Sequence, residues 1–418
     1  MGAGETEGSA ISPEGKGAPG AVTGEGSAAF WEKWLWIFAA IFAVADFISI
    51  SVAQISAGLM GVCWIAFHVK KGTRPDFSPL LIPMAAFTAI SLLAAFFSMD
   101  AMESIKDSKD LTHVLIFFIV YDYLKRHREK INPAMTAVLA GGSIAAVYGL
   151  GQLFTRGIDI YNRISGFQDI YMTFAGLLML AASVAFAAAV FGGSGRHRSA
   201  AAIAGAAMTF AVLISLTRNA VLGVGAATVV ILILRKPVAL LVLPAVLAAA
   251  IVLSPQQVSD RMKSIADPYN ETNRERLYLW EAGIKIIKDH PVLGVGQNSF
   301  PKVYPQYRHP KVKEPNISHL HNNFLEIGAE RGLIALAIWI WLWGAAAFFM
   351  IKGWRETGEG AEKAALAAGL GALAAFIVAG LFEYNFGASV MQMMIYYILA
   401  VALAAVPAKR AEEDAPAP

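Results

Sequence analysis

The residues able to do chemistry in this chain fall in a few short runs. Two histidines stand in Ser318-His-Leu-His-Asn-Asn323, so His319 and His321 flank Leu320, and Asn322 follows directly. Arginines stand at Arg163 in Tyr161-Asn-Arg-Ile-Ser-Gly-Phe-Gln-Asp169, at Arg218 in Ser215-Leu-Thr-Arg218, and at Arg276, one turn before Trp280. A carboxylate stands at Glu383 in Phe382-Glu-Tyr-Asn-Phe386. A neutral imidazole, with its ordinary pKa near 6.5, takes a proton from a hydroxyl near neutral pH. A guanidinium presents a planar fork that matches the oxygens of a phosphate. One histidine beside two or three arginines therefore suggests a general base next to an anionic ligand.

Each residue also has a plainer reading. Arg218 at a membrane edge can snorkel, Trp280 can anchor at an interface, and Glu383 can pair with one of the arginines. The His-x-His pair invites a metal, but on a helix the two side chains point about 200° apart, and ligands prefer i, i+3 or i+4. No His-Glu-x-x-His is present, so no metal is expected.

Composition sets the frame that must position these groups. Of 418 residues, 56 % are hydrophobic and 16 % charged, against about 25 % charged in an ordinary soluble domain. That excludes a conventional soluble surface and most disorder. A net charge of +3 leaves no basic excess for a nucleic-acid partner. The single cysteine, Cys63, excludes a disulfide framework or a cysteine metal site. The expected class is all-α, a polytopic membrane protein.

A crossing helix needs about 20 mostly apolar residues. Twelve stretches qualify, near 34–50, 53–69, 79–98, 111–124, 134–154, 171–192, 199–217, 219–235, 237–254, 332–351, 362–383 and 389–407. The seventh and eighth are separated only by Thr217, Arg218 and Asn219. With the N-terminus in the cytoplasm, 18 of the 34 Lys and Arg fall in cytoplasmic segments, and every short loop there holds at least two. Fusing those two spans would break this alternation, which the positive-inside rule favours. Residues 1–33 and 408–418 are expected as disordered cytoplasmic tails, and 34–407 as a membrane domain of about twelve helices.

One long segment, 255–331, is then left outside; it holds 11 basic and 9 acidic residues and four histidines. Its first part predicts an amphipathic helix capped by Thr272 or Asn273, with Leu277, Trp280, Ile284 and Ile287 on one face. Pro291 ends that helix, and Gly294 and Gly296 predict a tight turn. No Gly-Lys-Ser/Thr follows, so the turn is not a P-loop. Ser318 is the expected N-cap of a helix running unbroken to Ile351, about 50 Å at 1.5 Å per residue. That helix would put His321, Leu325 and Gly328 on one face, with His321 at head-group height.

Together these runs resemble the O-antigen ligase and polymerase superfamily. The matching pieces are Arg163-Ile-Ser-Gly-Phe167, Thr217-Arg218, Arg276-Leu-Tyr-Leu-Trp280, Asp289-His-Pro-Val-Leu-Gly-Val-Gly296 and His321-Asn-Asn-Phe-Leu-Glu-Ile-Gly-Ala-Glu-Arg-Gly332, within roughly 160–390. The resemblance implies a GT-C-like helical fold in the bacterial inner membrane, with both termini cytoplasmic and one large periplasmic loop carrying the active site. It implies transfer of a glycan from an undecaprenyl diphosphate-linked donor to a lipid A–core sugar or to another glycan, among membrane lipids, with no metal or nucleotide cofactor. It assigns His321 as the catalytic base and Arg218, Arg276 and, less directly, Arg163 to the donor diphosphate. Asn322, His319, Trp280 and Glu383 are the expected supporting residues.

A repeat-unit polymerase and a protein-directed O-oligosaccharyltransferase share this pattern. A secondary transporter fits the number of spans, but the spans carry few of the ionisable residues a transport pathway uses.

Overall fold

The computed structural model describes residues 2, 21–77, 79–313 and 316–407, and among them every regular element is helical. In chain order the α-helices are α1 (Ala21–Ala45), α2 (Ile50–Lys71), α3 (Leu81–Phe96), α4 (Ala101–Asp107), α5 (Val114–Arg126), α6 (Ile131–Gly151), α7 (Leu153–Arg156), α8 (Tyr171–Phe191), α9 (Gly195–Ile214), α10 (Arg218–Arg235), α11 (Leu243–Leu253), α12 (Gln256–Lys263), α13 (Glu271–Asp289), α14 (Phe300–Tyr307), α15 (Asn323–Glu356), α16 (Ala361–Gly380) and α17 (Ser389–Ala404). Short 3₁₀ turns join several of them.

Eight helices in the described residues are long and apolar enough to cross a membrane: Gly26–Ala45, Ile50–Lys71, Arg128–Arg156, Tyr171–Phe191, Gly195–Ile214, Arg218–Arg235, Asn323–Glu356 and Ala361–Gly380. The chain is therefore a polytopic membrane protein. The other four expected stretches are shorter helices: α3 and α17 of 16 residues, α5 of 13 and α11 of 11. Two of these stretches are shortened because a 3₁₀ turn takes part of their length, Ser108–His113 before α5 and Pro237–Leu241 before α11. The seventh and eighth stretches are separate helices, α9 and α10. Leu216, between them, is buried and takes a positive φ of 56°, a conformation that ends one helix and re-aims the chain into the next. At the N-terminus the structure departs from expectation: α1 begins at Ala21, inside the segment 1–33 expected as a tail. Residues 1, 3–20 and 408–418 lie outside the described residues.

Helices α8, α16 and α17 form the centre, buried along most of their length. A helix that is apolar on all sides belongs in the middle of a bundle. α16 is built largely of Ala and Gly, and α8 carries eight such residues among its 21, which lets neighbours approach closely. Peripheral helices bury a third or so of their windows and present Ile55, Val69, Ile203 and Phe348 outward, as a lipid-facing surface does. The two ends of the bundle collect different charges. At one end Arg128 pairs with Glu362 and Arg235 with Glu359. At the other, α10 starts on Arg218 and α16 runs out toward Glu383.

The segment after α11 has a core of its own. Leu279, Ala282 and Ile286 of α13 pack with Val295, Phe300, Val303, Tyr304, Leu320 and Ala329. The buried stripe of α13 is thus rotated from the expected one: Leu277 and Ile284 are exposed, while Trp280 and Ile287 flank the core. The helix is preceded by Asn270 rather than capped at Thr272 or Asn273.

The turn after α13 and the start of α15 interlock through their backbones. Gly294 and Gly296 take φ of 67° and 103°, as the expected tight turn requires. Gly332 breaks α15 at φ 82°, ψ 172°, so the helix is not continuous to Ile351. A break frees carbonyls and N–H groups that must find partners elsewhere. Val295 N–H donates to Ala329 O, Gly296 N–H to Glu330 O, and Leu333 N–H to Pro291 O. A Cβ on Gly332 would lie 2.0 Å from Val292 O. Gly332→Ala is therefore expected to destabilise the chain by about 2 kcal/mol or more, from the glycine-only backbone region alone. Gly344→Ala, whose Cβ meets nothing within 4 Å, is the control and is expected to be neutral or stabilising. Thermal unfolding of the two detergent-solubilised variants checks this. Equal melting temperatures would contradict the interlock.

Candidate active site

The segment before α15 is a loop shaped from both sides. Leu320 is fully buried in the outer core and packs against α13 where Gly283 leaves room for it. Its N–H donates to the buried carboxylate of Glu326. Pinning Leu320 inward turns its two neighbours the other way. His321 takes a positive φ of 50°, which is strained for a side chain of this kind and marks a position held by its surroundings. Its N–H donates to His319 Nδ1 at 3.2 Å. The helix then starts at Asn323, with Asn322 as N-cap accepting from Phe324 N–H and Leu325 N–H at 2.9 and 3.1 Å. The Asn322 amide also donates to Leu381 O, which ties the cap to the chain leaving α16.

Three expectations are corrected here. Ser318 is not the cap, because Asn322 offers an acceptor to the two free N–H groups nearest the helix. His321 is not on the face of a helix with Leu325 and Gly328. His319 and His321 do not diverge: their ring centroids are 4.3 Å apart, because the loop folds one imidazole back over the other.

Glu383 binds both rings. Its two oxygens lie 3.0 Å from His321 Nδ1, one lies 3.6 Å from His319 Nε2, and Arg276 Nη2 is 3.9 Å away. Its main partner is thus a histidine rather than an arginine. Burial pushes this carboxyl up, but the hydrogen bond from His321 and the nearby His319 and Arg276 outweigh it and hold the group below its usual range. An ionised Glu383 accepts, so His321 Nδ1 carries the proton and Nε2 keeps a lone pair. His319 accepts at Nδ1 and directs Nε2 toward the same carboxylate, and burial pushes its pKa down to about 4, so it stays neutral. Trp280 packs beside this cluster, its ring centroid 6.2 Å from that of Phe382.

His321 opens onto a cavity of about 680 Å³ whose charged lining is Arg163, Arg218, Arg261, Arg276 and Lys313 against the two carboxylates Glu271 and Glu275. Three expected arginines meet here, joined by Arg261, which sequence reasoning missed because it lies on the short helix α12 outside any recognisable run. Arg218 is buried; its Nη1 donates to Ser264 O and Oγ at 3.0 Å, and its Nη2 has no partner. Arg261 Nε donates to Leu216 O. Arg163 lies over the Tyr171 ring at 4.2 Å. Among the described residues neither Arg163, Arg218 nor Arg261 has a carboxylate within ion-pair distance. Burial and the neighbouring Arg163 and Arg276 push the Arg261 pKa down to about 10. A cluster of guanidiniums that disfavour one another around an open cavity is built for an anion.

A second cavity of about 400 Å³ adjoins the first at Met172 and Asn219. His319 and Glu383 lie in its wall, with Asp107, Asp110, Gln297, Asn298, Asn385 and Gln392. Carboxylates and amides outnumber one guanidinium, Arg331, here, so the two cavities differ in the balance of charge as well as in size. The cluster His319–His321–Glu383 stands between them.

No curated protein matches the chain. Residues 203–340, which hold Arg218, Arg261, Arg276, His319 and His321 but stop short of Glu383, match the family model described as O-antigen ligase. The matched stretch is about a third of the chain, and over that stretch the chain is similar to the O-antigen ligase family.

Proposed function

We propose that the chain moves a glycan from an undecaprenyl diphosphate-linked donor to a hydroxyl of a lipid A–core sugar, at the periplasmic face of a bacterial inner membrane, with both termini in the cytoplasm. The observation that carries this reading is the pairing of His321 with buried Glu383 at the edge of a cavity walled by arginines. A lipid-linked diphosphate has its charge at head-group depth and its tail in the bilayer, which suits an anion site at one end of a helical bundle.

The chemistry follows from the atoms present. The donor diphosphate lies against Arg218, Arg276, Arg261 and Arg163, and the acceptor hydroxyl meets His321 Nε2. The acceptor oxygen forms a bond to the anomeric carbon as the bond from that carbon to the diphosphate oxygen breaks. The hydroxyl proton passes to Nε2, and the electron pair leaves with the diphosphate. Glu383 stabilises the imidazolium that results, as the carboxylate of a catalytic triad does. The guanidiniums neutralise the charge that gathers on the leaving group. A single displacement of this kind inverts the anomeric configuration. The polar cavity offers the amide and carboxylate groups that bind neutral sugar hydroxyls.

The test is a transfer assay in membrane vesicles supplied with lipid-linked glycan and lipid A–core. Wild-type chain is expected to yield glycan on lipid A–core, and His321→Ala is not. A ladder that grows on undecaprenyl diphosphate instead would identify a repeat-unit polymerase using the same site. Normal transfer by a well-inserted His321→Ala protein would end the reading.

A further inference from the structure

We propose that His319, His321 and Glu383 form a three-donor site for one borderline-soft divalent cation such as Zn²⁺, and that filling this site switches the transferase off. The first half rests on geometry alone; the second rests on the reading of His321 as the general base.

The donor atoms are already gathered. The nitrogen and oxygen ligand atoms of the three side chains all lie within 4.8 Å of one another. Glu383 Oε1 is 3.0 Å from His321 Nδ1 and 3.6 Å from His319 Nε2. Zinc bonds of about 2.0–2.1 Å in a tetrahedron set neighbouring ligand atoms roughly 3.3 Å apart. An ion placed among these atoms therefore needs little movement of the side chains. Two imidazoles and one carboxylate are also the ligand set of open zinc sites, in which the fourth position is left to water or substrate. Calcium and magnesium prefer shells of oxygen, and this site offers one carboxylate, so they are excluded.

The switch follows from the tautomers. In the free site His321 Nδ1–H donates to Glu383 and Nε2 holds the lone pair. A cation takes the Nδ1 lone pair, and the proton moves to Nε2. Nε2 then donates and no longer accepts, so the base is gone although no side chain has left the site. His319 shifts in the same way: its Nε2 takes the metal, its proton moves to Nδ1, and the hydrogen bond from the His321 N–H is lost. That loss is small beside what a bound zinc returns. Arg276, 3.9 Å from Glu383, opposes a second positive charge and keeps the binding reversible. No electron transfer or outside reagent is involved.

Cobalt(II) titration of the full chain in detergent tests the site without reference to activity. Wild-type protein is expected to show the intense visible bands of a tetrahedral cobalt centre, at one ion per chain, which zinc abolishes and magnesium leaves in place. His319→Asn is expected to weaken binding by about 100-fold or more. His319→Cys keeps a ligand and is expected to bind cobalt with an added sulfur-to-metal charge-transfer band, which separates loss of a ligand from loss of fold. In the vesicle assay wild-type transfer is expected to persist in EDTA, to fall with micromolar zinc and to return when EDTA is added. Absence of the tetrahedral bands, or unchanged cobalt affinity in His319→Asn, overturns the site. Loss of transfer in EDTA that zinc restores overturns the switch and makes the ion a cofactor. If the chain does not transfer glycan at all, the cobalt spectrum still decides whether the site exists.

Discussion

His321→Ala and Glu383→Gln are expected to fall to a similar residual rate of glycan transfer, about 10³-fold below wild type. General base catalysis contributes about 10²–10⁴-fold, and alanine removes the base outright. Glutamine reaches nearly the same end by a different route. Tyr384 N–H holds the amide oxygen at the Oε1 position, so the N–H₂ takes the other, 3.0 Å from His321 Nδ1, where it favours a ring that accepts there and carries its proton on Nε2. The imidazole keeps its position and presents a donor where the acceptor hydroxyl needs an acceptor. In a serine-protease triad the equivalent carboxylate-to-amide change costs about 10⁴-fold through the same wrong tautomer. The loss is expected chiefly in kcat, because Arg163, Arg218 and Arg261 keep their surroundings and only Arg276 loses a carboxylate neighbour. Glu383→Asp is expected to recover part of the rate. A Glu383→Gln protein with kcat within about threefold of wild type would show that the His321–Glu383 contact is structural only.

How much of this was legible beforehand depends on what holds each residue in place. The split between α9 and α10 was legible because charge alternation and the run Ser215-Leu-Thr-Arg218 both demand it. The turn at Gly294 and Gly296 was legible because glycine pairs beside proline have few other uses. The path of the chain through His321 was not. Ser318 is as good a cap as Asn322 by residue type, and only the tertiary contacts of Leu320, with the N-H bond to Glu326, choose between them. The break at Gly332 was hidden for the same reason: the carbonyls it frees are answered by the turn at Val295 and Gly296, far away in sequence. Glu383 was seen as a charge near arginines, yet its main partner is an imidazole 62 residues away. Arg261 carried no local signal at all, since one arginine on a short amphipathic helix has the same pattern whether or not it faces a cavity.

Removing Arg261 from the cavity is expected to raise stability while it lowers activity. Arg261→Met keeps most of the side-chain volume and deletes the charge. Burial and the charges of Arg163 and Arg276 disfavour the Arg261 guanidinium in the folded chain, pushing its pKa down to about 10. In the unfolded chain these penalties vanish, so at neutral pH the charged group works against folding and its removal raises the melting temperature. The transition state loses a donor aimed at the leaving diphosphate, and one such donor contributes about 10²–10³-fold in kcat. Arg218→Met is expected to lower kcat to a similar degree with a smaller gain in stability, because it loses two hydrogen bonds to Ser264, whereas Arg261→Met loses one, to Leu216 O. The double variant is expected to lose less than the product of the two single losses, as groups that neutralise one anion act as a unit. Melting temperature and kcat measured on the same preparations decide the matter. If Arg261→Met melts lower than wild type and transfers glycan normally, the guanidiniums are there to hold α12 in place, and the cavity is not the diphosphate site.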